Sequence, residues 1–150
     1  MKFILSVFLF AFSVLSSGQT QTHDLSTDKV VNENYSYQVV QTADSYGNKT
    51  GDFIFYSEPD FIEFCNATFG LDSKIPFIDF NEETAVVIFK GLSKSTAKPF
   101  VDSAVETEHY IKLNVKSTES PKGVVNKTAK NIYLIVKVKK SNKEIKTIRW

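Results

Sequence analysis

Pro76-Phe77-Ile78-Asp79-Phe80-Asn81-Glu82-Glu83-Thr84-Ala85-Val86-Val87-Ile88-Phe89-Lys90-Gly91 is the stretch whose reading decides the fold. Its second half, Ala85 to Phe89, is apolar without interruption, bounded by Glu82-Glu83 on one side and Lys90-Gly91 on the other. A run so short and so rich in β-branched residues suits a strand better than a buried helix. It reads as the central strand of a sheet.

Downstream, the chain alternates. In Tyr110 to Lys116, Ile111, Leu113 and Val115 point to the core and Lys112, Asn114 and Lys116 to water. Ile132, Leu134, Val136 and Val138 form the next inward set, with Tyr133, Ile135, Lys137 and Lys139 outward. Ser141-Asn142-Lys143 then turns the chain into a final strand, Ile145 to Trp150. Leu92 to Pro99 reads as a polar loop with a stiff exit at Pro99. Ser117 to Lys130, carrying Ser-Pro, Lys-Gly and Asn-Lys turn signals, reads as a long mobile connection.

Upstream, Tyr35 to Gln41 alternates as a first strand, Asp44 to Gly51 is dense in turn formers, and Phe53 to Tyr56 reads as its hairpin partner. Ser57-Glu58-Pro59-Asp60 opens a helix: Ser57 caps, Asp60 returns the contact, and Pro59 is tolerated in a first turn. Phe61, Ile62, Cys65, Thr68 and Phe69 make its apolar stripe, Glu63 and Asn66 face out, and Gly70 stops it. This helix, about 57–69, covers one face of the sheet. With no crossover helices, the strands are expected to be antiparallel. The expected fold is α+β, mainly β: a single antiparallel sheet or a small sandwich with one covering helix.

The first residues read as an address. Lys2 precedes the apolar stretch Phe3 to Leu15, and Ser16-Ser17-Gly18 offers the small residues of a cleavage site, so residues 1–18 are expected to be a signal peptide and the chain exported. No later segment approaches the roughly 20 apolar residues of a membrane span. Residues 19–34 read as a loose terminus and 35–150 as one domain.

Charge is unevenly spread. Residues 19–108 hold 6 Lys against 15 Asp and Glu; residues 109–150 hold 10 Lys and 1 Arg against 2 Glu. Either the C-terminal part presents a basic face to a polyanion, through Lys112, Lys116, Lys137, Lys139, Lys140 and Lys143, or basic strands neutralise acidic ones inside one domain. The second is favoured, because the lysines interleave with core residues and no arginine run or stacking platform for nucleic acid is present. Cys65 is the sole cysteine, so no internal disulfide holds the fold. It reads as a buried helix cysteine rather than a nucleophile served by His109. Asp79, Glu82 and Glu83 flank a strand as solvated carboxylates do. The sequence has no phosphate loop, nucleophile elbow or zinc spacing, which points away from an enzyme, a cofactor or a metal.

The order of parts resembles a known family. Tyr56-Ser57-Glu58 entering a helix with Phe61 and Phe64, Ile78-Asp79-Phe80, the strand Ala85 to Gly91, the alternating Ile111 to Val115 and finally Ile132 to Lys140 are together similar to the PrcB-type, protease-complex-associated domain of exported bacterial proteins. The resemblance covers roughly Tyr56 to Lys140. It implies an exported non-enzymatic binding module, periplasmic or secreted, with a secreted protease as partner. Family members carry Thr-Gly-Gly-Tyr after the strand-ending glycine; here the segment is Ser95-Thr96-Ala97-Lys98-Pro99-Phe100, with Thr96 and Phe100 matching the outer positions and both glycines missing. The resemblance implies Lys94, Thr96, Lys98 and Phe100 as partner-binding residues.

Overall fold

The computed structural model describes residues 28–45 and 47–149. The expected signal peptide, His23 and Trp150 lie outside them. Eight strands and one helix run in the order β1 (Val30–Asn32), β2 (Tyr37–Ser45), β3 (Gly51–Phe55), α1 (Glu58–Phe69), β4 (Glu83–Ser95), β5 (Pro99–Thr107), β6 (Tyr110–Ser117), β7 (Val125–Lys139) and β8 (Glu144–Arg149). They form two four-stranded sheets rather than one. An inner sheet has the order β2-β7-β4-β3 and an outer sheet the order β1-β5-β6-β8.

The Ala85–Phe89 run explains the layering. Every residue from Thr84 to Phe89 is buried, which requires cover on both faces of β4. On one face Val86 and Ile88, with Leu134, Val136 and Val138 of β7, meet Val101, Ala104, Ile111, Leu113, Val115 and Ile145 of the outer sheet. On the other, Ala85, Val87 and Phe89, with Tyr133 and Ile135, meet Phe61, Phe64, Cys65 and Phe69 of α1 and Ile75, Ile78 and Phe80 beyond it. The order is helix, inner sheet, outer sheet. Tyr133 and Ile135, expected to face water, are therefore core, because α1 covers the half of that face from which Lys137 and Lys139 are absent.

α1 forms where expected. Its Ser57 hydroxyl donates to Asp60 Oδ2 at 2.6 Å instead of accepting a backbone N–H, and Gly70, at φ 93°, ends it with an N–H bond to the Asn66 carbonyl. Phe64, partly buried, takes the place of Ile62 in the core-facing stripe. It packs on Phe53 and Phe55, with ring centroids 4.8 Å apart in each pair, while Ile62 is exposed.

Pairing departs from the local reading in four places. β2 and β3 make no hairpin: β2 pairs with β7 and β3 with β4, placing them at opposite edges of the inner sheet. The turn formers between them mark a connection, not a pairing. β6 and β8 are parallel, the one departure from antiparallel pairing among the described strands; the return path runs through β7 in the facing sheet, so no crossover helix is needed. β4 does not stop at Gly91. That residue, at φ 90°, sits in a bulge and the strand continues to Ser95, while β7 begins at Val125, shortening both expected loops. Residues 28–34, expected to be loose, are tied to the outer sheet. β1 pairs with β5, and Asp28 accepts a 2.8 Å bond from the Thr107 hydroxyl.

The sandwich is closed along both sides by polar contacts. Tyr37 donates to the Val101 carbonyl at 3.2 Å and Tyr35 to the Lys139 carbonyl at 3.2 Å. At the opposite side Asp52 of β3 binds Thr147 and Arg149 of β8, and Arg149 also donates to the Phe89 carbonyl at 2.8 Å.

Candidate functional site

The four residues implied as a contact surface fall on one corner, where β4 leaves the inner sheet and β5 enters the outer one. Lys94 is exposed near the end of β4, Thr96 and Lys98 lie in the three-residue connection, and Phe100 is exposed on β5. Because Pro99 and Val101 turn inward, Lys98 and Phe100 share the open side. Phe100 stands opposite Lys116, whose ammonium pairs with Asp102 at 2.8 Å.

The corner is braced from below by the β6–β7 connection. Ser120 Oγ lies 2.7 Å from Ser95 Oγ and accepts from the Ala97 N–H at 2.9 Å and from the Thr96 hydroxyl at 3.3 Å. Lys98 and Thr118 exchange two bonds, the Lys98 N–H reaching Thr118 Oγ1 and the Thr118 N–H reaching the Lys98 carbonyl, both at 2.9 Å. Asn126 holds the Ser95 carbonyl at 3.3 Å, and Lys90 donates to that of Ala97. No residue from Ser95 to Phe100 has positive φ. The segment thus follows a backbone path that Lys and Pro can adopt. Chemically the corner offers two ammonium groups and an aromatic ring on a pre-organised frame, a set suited to binding.

The other candidates do not assemble. Cys65 is buried on the inner face of α1, where burial pushes its thiol up to about 11. His109 lies in the turn between β5 and β6 of the outer sheet, 3.0 Å from the Asp28 carboxylate, so Cys65 and His109 belong to different layers. Tyr133, next to the thiol, is also shifted upward, first by burial and then by the charge Cys65 would carry, against a lowering bond from Gln41. Glu83 pairs with Lys137 at 2.8 Å and accepts the Asp79 N–H, and Asp79 accepts the Asn81 N–H, so these carboxylates close a turn. Among the described residues no group of three His, Cys, Asp or Glu is placed to hold a metal, and no helix is long and apolar enough to cross a membrane.

The six lysines of the alternative basic face are dispersed. Lys112 and Lys116 lie on the outer sheet's open face, Lys137 and Lys139 on the helix side of the inner sheet, Lys140 donates to the Phe80 carbonyl and Lys143 to Glu106. Asp28, Asp44, Asp52, Glu83, Asp102 and Glu106 pair with His109, Lys130, Arg149, Lys137, Lys116 and Lys143 respectively. Each of these pairs joins the acidic part of the chain to the basic part.

Sequence reasoning missed two concavities. A polar cleft of about 500 Å³ is lined by Ser36, Gln38, Glu82, Glu83, Lys137 and Lys139; its charges largely neutralise one another. A smaller apolar one of about 200 Å³ lies between α1 and the segment that follows it. The signal for the second was Phe77 in a stretch with no strand or helix period. No family model matches the chain, and no curated protein and no solved structure matches it.

Proposed function

We propose that this chain is an exported, non-enzymatic protein-binding module that associates with or restrains a secreted protease, acting in the periplasm or outside the cell. The observation that carries this reading is the braced β4–β5 corner. Ser120, Thr118, Asn126 and Lys90 hold it, and Lys94, Lys98 and Phe100 are left facing solvent. Pre-organised loops bind at lower entropic cost, and exposed aromatic and cationic groups on a rigid frame are the usual material of protein contacts. The dispersal and pairing of the lysines favour this reading over a polyanion-binding sheet.

The test is affinity capture of the tagged protein, run side by side with a Phe100→Ser/Lys98→Glu variant. The expected result is a secreted protease enriched by the wild type, with at least about a tenfold loss in the variant. Recovery of no protease, or equal recovery by both proteins, would sink the reading.

A further inference from the structure

The helix layer carries acidic groups that the rest of the fold neutralises only at its Glu82 end. Residues 57–82 contain Glu58, Asp60, Glu63, Asp72, Asp79 and Glu82 against Lys74 alone, in a chain whose formal charge is +1. Among the described residues Glu58, Asp60, Glu63 and Asp72 form no ion pair and stand exposed. Lys137 and Lys139 share the polar cleft with Glu82 and Glu83, and two further lysines that approach this layer are already engaged. Lys140 donates to the Phe80 carbonyl at 2.7 Å, and Lys49 lies 4.7 Å from the centre of the Phe64 ring.

Within this acidic surround is the apolar hollow of about 200 Å³. Phe61 floors it, Ile62, Ile75, Phe77 and Phe80 wall it, and Glu58 stands on its rim. Phe77 is 82% exposed beside Ile78, which is 4% exposed. A phenyl ring held out in water at the mouth of an apolar hollow is surface the fold itself does not use. The volume suits one aliphatic or aromatic side chain, and the surrounding carboxylates set the sign of whatever flanks that side chain.

We infer that the α1 face is a docking site for a segment of a partner protein in which one apolar anchor is flanked by Lys or Arg. The anchor enters between Ile62 and Phe77, and the flanking cations meet Glu58, Asp60 and Glu63. This face lies on the opposite side of the molecule from Phe100, so it does not rest on the corner reading above.

The experiment is selection of a displayed random dodecapeptide library against the purified protein, followed by affinity measurement of the winners. Expected sequences carry a Leu, Phe or Trp between basic residues. Their binding falls at least about tenfold with Phe77→Ser and with Glu58→Lys/Glu63→Lys, weakens with added salt and ignores Phe100→Ser. A thermal melt of Phe77→Ser, unchanged for so exposed a ring, removes misfolding as an explanation. No enrichment, enrichment of acidic or uncharged sequences, or binding indifferent to Phe77→Ser overturns the proposal. Concentration-dependent dimerisation abolished by Phe77→Ser also overturns it, by making a second copy the occupant.

Discussion

β4 and β6 each run through the middle of a sheet, but β4 buries every residue from Thr84 to Phe89 whereas β6 alternates buried Ile111, Leu113 and Val115 with more exposed Lys112, Asn114 and Lys116. The two strands differ in what lies behind them. α1 and the Ile75–Phe80 segment cover the second face of the inner sheet, and no described element covers the second face of the outer one. Apolar continuity along a strand therefore measures the number of layers around it, and alternation measures their absence.

The most direct way to break this comparison is to empty the helix side. Phe61→Ala, at a residue 1% exposed, is expected to lower unfolding free energy by about 3 to 5 kcal/mol in urea titration. A loss under 1 kcal/mol would mean that the helix-side core contributes little. The next test contrasts two faces of one strand. Leu113→Ala should cost about 2 to 4 kcal/mol and the neighbouring Lys112→Ala less than about 0.5; equal losses would erase the alternation.

Burial of Cys65 sharpens the comparison through pH. Burial raises its thiol from the ordinary 9.0 to about 11 in the folded chain. Stability from this residue is intact below pH 9 and falls as pH rises toward 11, because the unfolded chain releases its proton first. The expected loss is about 2 to 3 kcal/mol over that window. Tyr133 shifts in the same direction, so Cys65→Ala should reduce the alkaline slope without abolishing it. An unchanged slope would place the thiol in contact with solvent. The smallest effect concerns Thr84, whose buried hydroxyl has no hydrogen-bond partner among the described residues. Thr84→Val keeps the shape, removes the orphan group and should stabilise by about 1 kcal/mol; destabilisation would show that the hydroxyl has a partner after all.

Much of this architecture was legible in the residues. The Ala85–Phe89 run, the α1 stripe with its Gly70 stop, and the alternation of Ile111 to Val115 are local patterns, and local patterns report local geometry. Tyr133 and Ile135 carry a misleading signal, because Lys137 and Lys139 share their face and point to water, yet a helix one layer away covers half of that face. Gly91 was read as an end because glycine marks both stops and bulges, and only a partner strand distinguishes them. Pairing of β2 with β7 left no local trace. At the corner, Lys94, Thr96, Lys98 and Phe100 are candidates only through the resemblance, and the hydroxyls that brace the corner come from Thr118 and Ser120 in a distant connection. The hollow beside Phe77 was readable in part: six acids against one lysine over residues 57–82 is a sequence fact.

The pairing of β2 with β7 also has a consequence in time. β2 occupies residues 37–45 and, among the described residues, pairs only with the strand at residues 131–138, with β3, α1, β4, β5 and β6 lying between in sequence. During synthesis β2 emerges long before anything exists for it to pair with, and closing so large a loop must precede any reward from the contact. The inner sheet therefore cannot assemble progressively from its N-terminal edge, and refolding is expected on the millisecond-to-second scale of non-local β topologies. Until β7 arrives, β2 is an unpaired edge, and that interval is when the nascent chain is most open to pairing with the wrong neighbour.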